Sequence, residues 1–259
     1  MNRRKISKIV LQYFLLLFFA ANLCAQSNSN FKTVKGNWAP SAKIAIDKLI
    51  EKNAGQKSAY AVFDWDNTSI YGDVQEILFV YQMENLAFKM NPDEFKYSFT
   101  HYTDTGCKEN LEIPADNFDQ SFNNAEGKPL NITLMAEDCC GYYKFFYEHY
   151  REMNPNAKNK LTLNELKKTD QFNDFKAKMW FTYAALYKSF SANVAYTWVM
   201  YVTVPGFTEK EFSGLVVKAI DWGIKRECKK VYFDSPISLK SRAGIVSNTN
   251  ADNYFGNTI

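Results

Sequence analysis

Two aspartates one residue apart, Asp64 and Asp66, follow the apolar run 59–63 and precede Asn67 and Thr68. In a strand, residues two apart point the same way. A strand ending at Phe63 therefore brings both carboxylates into one small volume where the chain turns out of a sheet, the place where α/β proteins carry their active sites. Two carboxylates held there repel each other, which raises one pKa unless a cation intervenes. Mg2+ prefers oxygen ligands of this kind. One carboxylate can then act as nucleophile while its neighbour moves a proton. The competing reading is a plain turn, in which Asp66-Asn67-Thr68 forms an Asx-type bend and Asp64 is solvated.

The stretch "VFDWDNTS", 62–69, resembles the first motif of the haloacid dehalogenase superfamily, in which a hydrophobic strand ends in Asp-x-Asp-x-Thr. The longer stretch "FDWDNTSIYGDVQE", 63–76, is similar to an exported phosphatase branch related to phosphoserine and phosphorylcholine phosphatases. The likeness is local, covering roughly 38–85; beyond it there is a general likeness to a helical cap. It implies an α/β fold: a Rossmann-like core, incomplete in this chain, with a large, mainly helical cap inserted after the motif. It also implies a small phosphomonoester as substrate, Mg2+ as cofactor, and neither nucleic acid nor membrane as partner beyond an export signal. Asp64 would be the nucleophile and a Mg2+ ligand. Asp66 would be the general acid and base, with its backbone carbonyl on the metal, and Thr68 would orient Asp66. Glu76 and Tyr71 would face the substrate, where a carboxylate beside aromatic rings suits a choline-like head group. The alternative is that Glu76 is an exposed first-turn glutamate.

Three further parts of that machinery are harder to find. A Ser or Thr ending a second strand could be Ser235, or Ser247 with Thr249 nearby, and Lys229, Lys230 and Lys240 are available lysines. An acidic pair is missing, because Asp252 is the only acidic residue after Asp234. A doubly wound sheet also needs several more strand–helix units than the residues after Ser235 can supply. The sequence therefore reads as the front half of such an enzyme, stopping before motif two. A non-catalytic binding protein for a small phosphorylated or cationic ligand is the alternative.

The elements that would position these residues divide as 1–25, 26–85, 86–225 and 226–259. The first carries Arg3, Arg4, Lys5 and Lys8 ahead of an apolar run and Cys24-Ala25-Gln26, the layout of a secretory signal peptide cleaved near Ala25. An uncleaved N-terminal anchor is the alternative. Removing it leaves 27 basic against 28 acidic residues, so the basicity belongs to targeting and is no nucleic-acid footprint. An exported, periplasmic or secreted chain meets oxidising conditions, and Cys107, Cys139, Cys140 and Cys228 are then open to pairing. With His101 and His149 as the only histidines, a zinc site is disfavoured.

Apolar spacing predicts helices over 41–55, from 74 onward, over 164–190 and over 207–223, the last with Thr208 and Glu211 at capping-box spacing. Strands are expected at 59–63, 229–235 and 243–249. The stretch 91–160 reads as broken and irregular, dense in aromatics around 141–150.

Overall fold

The computed structural model describes residues 38–54, 56, 58, 60, 62–64, 73–103, 110–113, 118, 122–158, 160–227, 230–247 and 254–255. The chain separates into two compact units, residues 1–62 and residues 63–259. The expected signal peptide, along with Asp66, Thr68 and Tyr71, lies outside the described residues.

Within the first unit, α1 (Pro40–Asn53) starts with a proline at its first helical turn, where a missing N–H costs nothing, as the sequence predicts. None of its residues is buried, and Ile44, Leu49 and Ile50 are exposed.

The second unit is helical. Its elements are α2 (Val74–Asn85), α3 (Pro92–Thr100), β1 (His101–Thr103), β2 (Asn110–Glu112), α4 (Ile132–His149) and α5 (Leu163–Leu166). They continue with α6 (Asp170–Ser189), α7 (Ala192–Thr203), α8 (Glu209–Ile224), β3 (Lys230–Val231) and β4 (Tyr254–Phe255). The expected α/β architecture is thereby corrected. Among the described residues the strands form two antiparallel two-stranded ladders, β1 with β2 and β3 with β4, and no parallel sheet. Tyr60, Val62 and Phe63, expected in a buried strand, are exposed and outside regular structure. The strand expected over 229–235 shrinks to Lys230–Val231, and 243–247 runs without strand pairing. β-branched and aromatic residues alone do not make a strand; they need a neighbouring ladder and a face to bury.

Helix starts are set by side-chain caps. Asn91 with Glu94, Thr162 with Glu165 and Thr208 with Glu211 form reciprocal capping boxes. Asn131, Thr169 and Ser191 each accept a backbone N–H two or three residues into α4, α6 and α7. α2 closes on Leu86 in the left-handed conformation at φ 47°, a position more often given to glycine.

α6 is the central helix, packed against α4 and α7, while α2 lies on α8 and α3 on α4. Its neighbours meet it through rings. Phe79 of α2 stacks on Trp180 and meets Trp198 edge-on at 5.8 Å, and Phe95 lies flat on Tyr143 at 3.8 Å between centroids. Trp198 is wholly buried, and its indole N–H donates to the Phe99 carbonyl at 2.8 Å, joining α7 to α3. Large rings packed at these distances add to the area they bury.

Replacing Trp198 by Ala should destabilise the helical unit by about 3–5 kcal/mol. Replacing it by Phe should cost less but still measurably, because the Phe99 carbonyl loses its donor. Urea denaturation of the two variants against the parent chain checks both the direction and the order.

Candidate functional site

Asp64 is exposed, and Asp66, Thr68 and Tyr71 lie outside the described residues. Downstream of the motif, the start of α2 is well defined. Asp73 caps α2 by accepting the Glu76 amide at 2.7 Å, a short charge-assisted bond at a helix N-terminus. That cap holds Glu76 in the first turn, where its Oε1 accepts the Tyr183 hydroxyl at 2.8 Å. Tyr183 comes from α6, and Tyr187 stands one turn further along the same helix. Tyr196 of α7 completes the group, 6.4 Å from Tyr183 and 6.2 Å from Tyr187 between centroids, the latter contact edge-on. Gln75 of α2 donates to the Tyr196 carbonyl and ties α7 to the same turn.

The electrostatics of this wall are one-sided. Burial pushes the Tyr183 hydroxyl well above the usual tyrosine range, and the Glu76 and Asp73 carboxylates push it further. Tyr196 is raised by burial and then by Asp73 and Glu76. The expected substrate-facing glutamate is therefore part-buried against tyrosines. Sequence reasoning located Glu76 but assigned it Tyr71 as its ring; the rings described beside it come from residues more than a hundred positions away. Nothing in local spacing signals that contact.

A second polar group lies in the core, and the sequence reading did not single it out. Lys178 of α6 is fully buried and spends its N–H bonds on Asp138 of α4 at 2.7 Å, Asp174 at 2.6 Å and the Ser241 hydroxyl at 2.6 Å. Tyr142 donates to the same Asp174 oxygen at 2.7 Å, while the other Asp174 oxygen is buried with no hydrogen-bond partner. Asp138 also accepts the Arg242 and Ala243 amides at 2.9 and 2.8 Å. A serine beside a lysine can form a hydrolytic pair, but here all three Lys178 contacts are spent on holding Asp138, Asp174 and Ser241 together. The group is a clasp: it pins the loop 234–246, which folds back so that Ser235 and Val246 hydrogen-bond to each other, against α4 and α6. Asn124 and Ala125 hold the same loop through Ala243 and Ile245. Gly244, at φ 74°, leaves no room for a side chain, since an added Cβ would lie 2.5 Å from the Asn124 amide nitrogen.

The remaining candidates are used structurally. Ser235, a motif-two candidate, is buried, and its hydroxyl accepts the Val246 amide at 3.0 Å. Cys139 and Cys140 are free; burial drives the Cys139 thiol well above its ordinary value and the Cys140 thiol up to about 12, so neither is a ready thiolate. Cys107, Cys228, Lys229, Thr249 and Asp252 lie outside the described residues. His101 stacks on Tyr97 and its Nδ1 faces the Tyr97 carbonyl of the preceding helix, while His149 Nδ1 faces the Phe145 carbonyl of its own helix. Among the described residues no three His, Cys, Asp or Glu side chains gather in a way that could hold a metal ion. No described helix is long and apolar enough to cross a membrane.

No family model matches the chain, and no curated protein matches it. A similar solved structure is that of a conserved functionally unknown protein from Anaerococcus prevotii DSM 20548, at 30% sequence identity and a TM-score of 0.69. The match covers 88% of this chain and 56% of that one, so the chain spans little more than half the length of its structural relative.

Breaking the clasp should be costly. Lys178→Met leaves two buried carboxylates without their cation and should destabilise by roughly 3–5 kcal/mol, and Lys178→Met combined with Asp174→Leu should recover part of that loss. Urea denaturation measures both. Alkaline pH gives a separate test. Tyr142, Tyr143 and Tyr183 all titrate above their ordinary value of 10.0 when folded. A raised folded pKa contributes stability that is fully present below the unfolded value and is lost as pH rises towards the folded one. Stability should therefore begin to fall above about pH 9, as the thiols of Cys139 and Cys140 ionise in the unfolded chain, and fall further above about pH 10 with the tyrosines, this second fall being shallower in Tyr183→Phe.

Proposed function

We propose that this chain belongs to an exported phosphomonoester hydrolase of the haloacid dehalogenase type, with Asp64 as nucleophile and Glu76 in the substrate-recognition wall. The observation that carries the reading is the pairing of Glu76 with Tyr183 beside Tyr187 and Tyr196, placed just downstream of the Asp64-Trp65-Asp66 motif. A carboxylate framed by tyrosine faces suits the ammonium end of a small phosphorylated metabolite.

In this reading an Asp64 carboxylate oxygen attacks phosphorus and the ester P–O bond breaks. The departing alcohol takes a proton from Asp66. Asp66 then removes a proton from water, which attacks the aspartyl-phosphate, frees inorganic phosphate and restores Asp64. Thr68 orients Asp66, and Tyr71 lines the substrate side. Mg2+, held by the Asp64 carboxylate and the Asp66 carbonyl, would offset the phosphate charge. The serine or threonine, lysine and acidic pair of the remaining motifs are not identified in this chain.

The second reading is a binding protein without turnover. It is favoured by the same wall, in which Glu76, Tyr183 and Tyr196 are tied together through α2, α6 and α7.

Hydrolysis of 4-nitrophenyl phosphate, with and without Mg2+, separates the two. Mg2+-dependent release of nitrophenol, reduced on the order of a thousandfold or more in Asp64→Asn, supports the hydrolase. Absence of turnover, with choline or phosphocholine binding equally well to the parent and to Asp64→Asn but weakened in Glu76→Gln, supports the binding protein and removes the catalytic claim.

A further inference from the structure

Tyr183 stands apart from the other rings of the wall. It is 6% exposed, whereas Tyr187 and Tyr196 are 44% and 37% exposed. The core grips its ring on two sides, edge-on to Phe79 at 6.0 Å and tilted against Trp180 at 5.3 Å between centroids. A ring packed at core density has little rotamer freedom. Its hydroxyl therefore arrives at one point, where Glu76 Oε1 accepts it at 2.8 Å. The backbone of Glu76 is fixed as well, because its amide donates to the Asp73 cap at 2.7 Å. Glu76 is thus held at both ends.

Packing does not call for that hydroxyl. Phe79 and Trp180 make ring contacts that a phenylalanine at 183 would make too, and a buried phenol costs free energy unless it finds an acceptor.

We propose that Tyr183 is the positioning residue of the recognition wall, acting on the ligand only through the Glu76 carboxylate that it holds. This role rests on Glu76 being the group that meets the cationic end of the ligand. The one hydrogen bond has two effects. It orders a side chain with three rotatable bonds before the ligand arrives, so that binding does not have to supply the ordering. It also favours the ionised form of Glu76, as a donor to a carboxylate does. The second effect matters because Asp73 brings a like charge to the same turn, which works against ionisation. Among the described residues Asp73, Glu76, Tyr183, Tyr187 and Tyr196 share this electrostatic neighbourhood. Tyr183 and Tyr196 are both raised, by burial first, so the phenols keep their protons throughout the range in which a carboxylate titrates.

Choline carries the cationic end without a phosphate, so its binding does not pass through Asp64 or Mg2+. Calorimetric titration of choline into the parent chain and into Tyr183→Phe, from about pH 4 to about pH 8, tests the role. The substitution keeps the ring and removes only the hydroxyl. Near neutral pH it should weaken choline binding by about tenfold. Binding should also fade towards acid as Glu76 takes up a proton, and the midpoint of that loss should move upward by about one pH unit in Tyr183→Phe. A tyrosine that only packs leaves the midpoint where the parent has it. That result overturns the positioning role, as does choline binding unchanged in the variant. Choline failing to bind the parent chain overturns the recognition reading of Glu76 itself, and the positioning role with it, so the parent chain alone tells the two failures apart.

Discussion

One buried cation organises the polar interior of the helical unit. Lys178 enters a core of phenylalanine, tyrosine and tryptophan rings, where a lone ammonium would be prohibitively costly. It is tolerated because two carboxylates and a hydroxyl reach it, each from a defined place: Asp174 one turn back on the same helix, Asp138 from α4 and Ser241 from the segment that comes after β3. Each carboxylate is itself held, Asp174 by Tyr142 and Asp138 by two backbone amides. The requirement to satisfy one charge therefore fixes the spacing of two helices and the path of a loop that folds back between Ser235 and Val246. The position of Arg242 beside α4 results from that constraint.

The tyrosine wall rests on a different principle. Its parts come from three helices, and each is placed by ordinary helix mechanics: a capped first turn for Glu76, i to i+4 spacing for Tyr183 and Tyr187, and a side-chain to backbone bond for Tyr196. A carboxylate accepting from a part-buried phenol is held in one orientation by that bond.

The sequence exposed some of this and concealed the rest for identifiable reasons. α1, α2, α6 and α8 were legible because their apolar positions recur at helical spacing and Thr208 with Glu211 announces a start. α3, α4 and α7 were missed. α4 and α7 are rich in aromatic and β-branched residues, as in "GYYKFFYEHY" and "NVAYTWVMYVT", a composition that reads as strand or irregular chain. α3, by contrast, is short, and its start was written in Asn91, Pro92 and Glu94, the capping box that the structure shows. The strand expected at 59–63 was read from composition alone, and composition cannot supply the ladder a strand requires. Asp64 and Glu76 could be nominated because their signals are local. The Asp138–Lys178 contact joins residues 40 apart and the Glu76–Tyr183 contact residues 107 apart, and without an alignment nothing in the chain records either.

The indole of Trp198 has an optical consequence. It lies in a water-free ring cluster with Phe79 and Phe99, hydrogen-bonded to a carbonyl, while Trp38 is partly open to solvent. An excited indole relaxes its surroundings only as far as neighbouring dipoles can turn, so Trp198 and the nearby Trp180 emit at the blue end of the tryptophan band and Trp38 towards the red. The joint of α2, α3, α6 and α7 thus carries its own fluorophores, and any loosening there is visible as a red shift in emission from the unlabelled protein.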